Sequence, residues 1–390
     1  MGPIGDVTSP TEVPSRQFPF RRIAVFGTVA TGLLVACSWF VGATWAHFSG
    51  ESDLAWRTAL VLLALGFVPV TIAGRFWKHP LLKSLTLLTS VAAGILNIAV
   101  VGAAATWGVA GILFVLGFYA GRPIVFALYG VSAAVIVYGL ANAAWLRVTR
   151  VTISLPNLPT VWEGRTAALV TDLHLGNIHG TAFARRVVSR LAALHPDAVF
   201  IAGDLFDGAA IDHATAAAPW AKLVAPLGIY FVTGNHDEFF YRTGVLAAVR
   251  SAGIRVLDNA KIDLEGIQIV GVHDADASDP QRFREILSRI RVDRGKPSIL
   301  LSHQPANLKI AEEAGISLQL SGHTHAGQFW PWSALVRRIY GPFTYGLSRY
   351  RDLLVLTSSG AGSWGPPLRI GTRSEIVLVT FEQRIRGQGA

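Results

Sequence analysis

The chain of 390 residues is long enough for two or three domains, and a mean hydropathy of +0.43 with 15% charged residues is too apolar for an ordinary soluble protein. The net charge of +9 divides unevenly: residues 1–150 hold 10 Lys and Arg against 4 Asp and Glu, and the remainder 24 against 21. No basic block marks a nucleic-acid footprint, and a single cysteine, Cys37, excludes an intramolecular disulfide and a Cys-based zinc site.

Residues 1–20 are polar and carry Pro, Ser and Thr, which predicts a disordered N-terminal tail. A transmembrane domain over residues 21–150 follows, with about four helices at 23–48, 59–73 with its flanks, 85–105 and 123–146. About 20 apolar residues suffice to cross a bilayer. No small-residue cleavage site closes the first run, so it reads as an anchor rather than a signal peptide. Residues 107–118 are apolar but short, which favours an interfacial or re-entrant piece; a fifth span there would invert the topology. With four spans, Arg16, Arg21, Arg22, Arg75, Lys78, Lys83, Arg147 and Arg150 share one side, which places the C-terminal domain in the cytoplasm.

Pro156 and Pro159 predict a stiff linker over residues 151–165. Across residues 166–382, short β-rich runs at 167–171, 198–202, 229–233, 267–272, 299–302 and 318–320 alternate with helically spaced stretches such as 182–193 and 282–290. Residues 383–390 read as a C-terminal tail. This alternation implies a layered α/β domain whose functional residues gather in loops at the carboxyl ends of strands.

Five segments at such positions carry metal-ligand side chains: Asp172-Leu173-His174, Gly203-Asp204, Gly234-Asn235-His236-Asp237, Ser302-His303 and Gly322-His323-Thr324-His325. They contain five of the 11 histidines, so the clustering outweighs any one motif, each of which alone is ordinary turn chemistry. Hydrolysis of a phosphate ester needs negative oxygens neutralised and a nucleophile near neutral pH, and two metal ions about 4 Å apart supply both. Asp172 and His174, two residues apart, can grip one ion, and Asp204 can approach closely enough to bridge. Asn235 offers a neutral carbonyl oxygen, while His303, His323 and His325 offer nitrogens that suit Mn, Fe and Zn. The absence of thiolates argues against a closed structural zinc site.

In this order the five motifs resemble the calcineurin-like metallophosphoesterase superfamily over residues 165–382. Residues 358–362 and 365–369 are similar to the C-terminal signature of its bacterial membrane-associated branch, that of the YaeI and YkuE phosphodiesterases. The resemblance implies a layered β-sandwich flanked by helices behind an all-α transmembrane domain. It implies two divalent metals, manganese first with iron or zinc open. Asp172, His174 and His325 would hold one ion, Asn235, His303 and His323 the other, with Asp204 bridging and counted among the catalytic residues. His236 would be the catalytic residue that faces substrate, oriented by Asp237. The implied reaction is hydrolysis of a phosphodiester or pyrophosphate bond at a bacterial inner membrane. A lipid-linked substrate of UDP-diacylglucosamine type, a phospholipid and a nucleotide all stay open.

Two stretches depart from the branch pattern, Val272-His273-Asp274 and Arg373-Ser374-Glu375-Ile376; His273 reads as a loop or supporting histidine rather than a substrate contact. His179, His195 and His213, with Asp207, Asp212 and Asp258, read as surface or helix-end groups. The run 328–332, with Arg337, Arg338 and Tyr340, reads either as aromatic packing within a loop or as a segment that docks on lipid. A competing reading makes the spans a sensor or transporter with a regulatory phosphoesterase domain. The spans hold Asn97 and Asn142 but no acidic residue, which offers no ion pathway. A nuclease conflicts with the near-balanced charge after residue 150.

Overall fold

The computed structural model describes residues 20–51, 54–119, 121–208 and 211–383, so the expected tails lie outside it except for Phe20 and Gln383. Four helices open the chain: α1 (Phe20–Ser49), α2 (Leu54–Phe76), α3 (Pro80–Val115) and α4 (Arg122–Ala144). All four are long and apolar enough to cross a membrane, and their apolar windows are only 11–28% buried within the protein. Side chains such as Trp39, Leu62, Leu88 and Val137 therefore form an exposed apolar belt, which lipid covers better than water.

The expected break near residue 107 does not occur. Proline stands in α3 only at its first position, where His79 Nδ1 caps the Leu81 amide at 3.2 Å, and the helix then runs unbroken to Val115. Trp107 belongs to the bundle, its indole N–H donating to Thr44 Oγ1 of α1 at 2.9 Å. Residues 107–115 are thus the last turns of the third helix, continuous with it rather than a separate re-entrant piece.

The rest is built on two six-stranded sheets packed face to face. The first follows the order β1 (Leu146–Leu155), β12 (Ser374–Gln383), β2 (Thr166–Val170), β3 (Ala198–Ala202), β4 (Ile229–Val232) and β5 (Arg255–Val256). The second runs β10 (Gly346–Tyr350), β11 (Leu353–Thr357), β9 (Leu318–Ser321), β8 (Ser298–Leu301), β7 (Ile267–Gly271) and β6 (Ala260–Leu264). The central strands of each are parallel, as βαβ crossovers require.

Alternation along the strands sorts the core into layers. Leu169, Phe200, Tyr230 and Val379 of the first sheet meet Ile269, Ile299, Leu320 and Leu356 of the second. The intervening Val170, Ile201 and Phe231 pack instead on α5 (Thr181–Ala192) and α7 (Asn235–Ser251), with α6 (His213–Ala217) alongside. On the opposite face Val270, Leu300 and Val355 pack on α9 (Pro280–Ile290) and α10 (Leu308–Glu313). The short α8 (Asp274–Ala277) and the nine-residue α11 (Trp332–Tyr340) lie in loops.

The linker expected over residues 151–165 is a correction. Arg150 to Leu155 alternate outward and inward, burying Ile153 and Leu155, and β1 pairs with β12 over its whole length. Pro156 and Pro159 shape only the turn that follows, and Leu158 and Trp162 are buried in the intersheet core.

The helical bundle is fastened to the sandwich directly. Asn142 of α4 donates to Arg369 O (2.9 Å) and Thr372 O (2.8 Å), and the Arg369 amide donates to Gly139 O at 3.0 Å. Leu368, Ile370 and Phe329 fill the cleft between Ile98 of α3 and Val135, Ile136 and Leu140 of α4. Asn142, the polar residue noted in the fourth span, is thus spent on holding this loop.

Candidate metal centre

Each of the five segments follows the carboxyl end of a parallel strand: β2, β3 and β4 in one sheet, β8 and β9 in the other. Packing the sheets face to face brings all five to one edge of the sandwich. Fourteen described non-glycine residues have positive φ, and five of these are Asp172 (54°), His174 (48°), Asp204 (50°), His323 (68°) and His325 (49°). Left-handed backbone at non-glycine residues costs about 1–3 kcal/mol each and clusters where function requires it. Gly203, at φ +87°, and Gly234 let the turns after β3 and β4 touch; a Cβ on Gly234 would overlap the Asp204 carboxylate.

Two donor sets result. In the first, His325 Nε2 lies 3.1 Å from His174 Nε2 and 3.4 Å from Asp172 Oδ1, with His174 Nε2 3.9 Å from that oxygen. In the second, His323 Nδ1 lies 3.0 Å from Asn235 Oδ1 and 3.3 Å from His303 Nε2. Asp204 stands between them, its Oδ2 3.7 Å from His174 Nε2 and 3.2 Å from His303 Nε2. Donors about 2.0–2.2 Å from one ion sit roughly 3.0–3.5 Å apart, so both sets fit a divalent cation. All seven expected ligands are therefore brought together.

The electrostatics favour the same occupant. Burial pushes His174 and His323 down to about 3 and His325 well below its ordinary value, leaving neutral imidazoles, the form that ligates metal. Burial also pushes the Asp172 carboxyl up to about 6, the response of an anion that lacks a countercharge. For Asp204 burial acts upward, but His303 and His236 outweigh it and hold the carboxyl well below the usual range. Its Oδ1 accepts the His236 amide at 2.9 Å, at the N-terminus of the 17-residue α7, where the helix dipole favours an anion. His303 Nδ1 faces Ala202 O at 2.8 Å; burial would lower this histidine, but Asp204 outweighs it and raises it well above its ordinary value, so an ion at Nε2 takes the place of a proton.

His236 sits beside the donor sets, its ring centroid 4.8 Å from that of His174, and its side chain is 15% exposed. Its Nδ1 lies 3.0 Å from Asp207 Oδ1. Burial alone would lower His236, but Asp204 and Asp207 outweigh it and raise its pKa. The contact with His236 expected of Asp237 is made by Asp207 instead. Asp237, at the third position of α7, instead accepts the amides of Gly234 (2.9 Å), Phe206 (3.0 Å) and Leu205 (3.3 Å), which binds the β3 and β4 turns together.

Other expectations divide. Asp212 caps α6 and Asp258 pairs with Arg242, as helix-end and surface groups do. His195 is exposed just beyond α5, whereas His213, at the first position of α6, is buried edge-on against Phe206. His179 is half-buried just before α5, a helix-end group whose Nε2 lies 2.8 Å from Ser363 Oγ. His273 is buried against Thr233, with Nδ1 2.8 Å from Thr233 Oγ1, so it supports the β4 turn.

Asp207, expected to be a surface or helix-end group, instead pairs with His236 and Arg75; its place three residues beyond Asp204 in the same turn was the available signal. Sequence reasoning also missed what Arg369 holds. Fully buried, and with burial lowering it to about 10, its guanidinium donates to Ser359 O (2.6 Å) and Gly362 O (2.7 Å). That loop in turn holds the backbone of Asp172 through Gly362 N–H to Asp172 O at 2.9 Å.

A two-sheet α/β sandwich with adjoining N/O donor sets at its strand ends is a protein built for two divalent metal ions side by side. Residues 166–327 match the family described as calcineurin-like phosphoesterase. The chain is 30% identical to an uncharacterized metallophosphoesterase of Aquifex aeolicus, over 65% of this chain and 96% of that protein. It thus belongs to the calcineurin-like metallophosphoesterase family. It is 35% identical to a transmembrane protein with metallophosphoesterase domain of Danio rerio, over 67% of this chain and 63% of that one. To the uncharacterized metallophosphoesterase YkuE of Bacillus subtilis it is 29% identical, over 61% of this chain and 86% of that one. The chain spans 63% of the length of the Danio rerio relative and 58% of a Helicobacter pylori one.

Proposed function

We propose that this chain is a membrane-anchored phosphoesterase that uses two divalent metals to hydrolyse a phosphodiester or pyrophosphate bond. The observation that supports it most strongly is the placement of Asp204 Oδ2 between His174 and His303, as a bridging ligand requires. Asp172, His174 and His325 would hold one ion and Asn235, His303 and His323 the other. Manganese is the first choice for this mixed N/O set, with iron or zinc open. Such ions supply charge against the phosphoryl oxygens and lower the pKa of water.

The residues of the chain do the rest. Asp207 holds His236 through Nδ1, which leaves Nε2 for substrate. Asp204 and Asp207 favour the protonated form of His236 against burial, the form that can give its proton to the departing oxygen as the ester bond breaks.

A lipid-linked substrate is the reading we favour. Trp330 and Trp332 are 55% and 46% exposed, against the loop-packing alternative. Trp332, Leu335 and Ile339 are exposed three and four residues apart, on one face of α11, with Arg337 and Arg338 in its last turn. Phe329, just before this helix, packs on α3 and α4, so α11 starts beside the membrane helices. Its far end brings the Tyr340 ring to 6.1 Å from His323. In the same reading the four helices cross a bacterial inner membrane with the sandwich in the cytoplasm, on the side of Arg75, Lys78 and Lys83.

The test uses the full chain, since a fragment starting at residue 151 would cut β1 in two. Purified in detergent and loaded with Mn²⁺, the protein is expected to turn over a bis-aryl phosphodiester, and Asp204→Asn to abolish this. No turnover of any phosphoester with two metals bound would sink the enzyme reading.

A further inference from the structure

We infer that Arg75, in the last turn of α2, is a positioning residue for the reaction: it fixes Asp207, and through it His236, so the site is complete only with the second apolar helix in place. The inference rests on the role proposed for His236. Arg75 Nη2 lies 3.3 Å from Asp207 Oδ1, the same oxygen that faces His236 Nδ1 at 3.0 Å. The side chains of Arg75 and Asp207 are 24% and 20% exposed, so the pair is partly shielded from solvent and stronger than a surface ion pair.

The geometry around Arg75 is close and specific. Asn177, in the loop that leaves Asp172 and His174, donates to Gly74 O at 2.7 Å. A Cβ on Gly74 would lie 2.6 Å from Thr86 Oγ1 and 2.7 Å from Asn177 Nδ2, so the backbone is seated against both α3 and the catalytic loop. On the other side, Gly208 has φ +112°, and a Cβ there would meet Arg75 Cα at 3.3 Å. The end of α2 is therefore held between the loops after β2 and β3, the two that carry Asp172, His174 and Asp204. Arg75 and His236 meet on the same oxygen, so the guanidinium holds Oδ1 of Asp207 where the imidazole Nδ1 reaches it, which orients the ring of His236 and leaves Nε2 uncommitted to this pair.

Positioning a proton donor matters most where the leaving group is a poor one. The experiment compares kcat and KM of the full chain, Mn²⁺-loaded in lipid nanodiscs, on two phosphodiesters that differ only in a nitrophenyl or an alkyl leaving group. Arg75→Gln is expected to lower kcat on the alkyl ester about 10- to 100-fold, the usual effect of losing a supporting partner, with KM and metal content unchanged. The nitrophenyl ester should lose less than about threefold, because it departs without a proton. Arg75→Lys should recover part of the loss, and Asp207→Asn combined with Arg75→Gln should lose no more than Asp207→Asn alone. Equal losses on both esters, full additivity, or no loss in either Arg75 variant would overturn the inference while leaving the phosphoesterase reading intact. A wild-type chain inactive on both esters with metal bound would overturn that reading and this inference with it.

Discussion

The inner and outer halves of the site are made differently. The inner half, from Asp172 to His325, is buried save for the half-buried Asn235 and His323, comes from strand ends of the two sheets, and is held largely by left-handed turns that reach inward. The outer half is assembled from parts distant in sequence: Asp207 with Arg75 of α2, Trp364 near His236, and α11 with Tyr340 beside His323. The difference teaches that a donor-lined interior can be carried by one fold, whereas the surface around His236 is shared with α2 and the loops that reach the membrane-capable helices.

The sharpest way to break the comparison is to strike the inner half. Asp204→Asn should lower kcat by about 10³-fold or more, since a metal ion supplies several kcal/mol, and should also lower bound metal measured by elemental analysis. His236→Ala, at the boundary of the two halves, should lose about 10²- to 10⁴-fold on a poor leaving group with both metals retained. Equal metal loss in the two variants would erase the distinction between ligand and proton donor.

The outer half should respond more mildly and more selectively. Changing Trp330 and Trp332 to Ser should reduce turnover of a micellar phosphoester several-fold, with a soluble one unchanged, on the order of the interfacial free energy of two aromatic rings. Equal loss on both substrates would remove α11 from any role in docking on lipid. A smaller effect concerns pH. In the metal-free protein Asp172 is pushed up to about 6, so below that pH an ion must displace its proton. The rise in melting temperature on adding Mn²⁺ should therefore be larger at pH 8 than at pH 5. A rise independent of pH would remove Asp172 from the ligand set.

The same division explains what could be read from sequence. Every run proposed as a strand between residues 167 and 320 is one, within a residue at each end, because these central strands are short, continuous hydrophobic runs closed by Gly, Asp or His. The strands that escaped are mostly edges or late additions: β1, whose Arg147 and Arg150 mimic a juxtamembrane flank, the two-residue β5, the edge strand β6, and β10 to β12 beyond the last motif. The residues that gather into the two donor sets were legible because each motif is local, two to four residues at one strand end. Asp207 was half legible, in the same turn as Asp204. Arg75 was not, since nothing local distinguishes it from the other cations at helix ends; only the packing of α2 between two catalytic loops gives it a partner.

The central claim is that one carboxylate, Asp204, joins two ions into a single centre. Electron paramagnetic resonance of the full-length protein loaded with Mn²⁺ tests it most directly, because bridged ions couple their spins. A coupled two-manganese spectrum in the wild-type chain, lost in Asp204→Asn, is the expected result. Two uncoupled signals, or a single ion per chain at saturation, would contradict it.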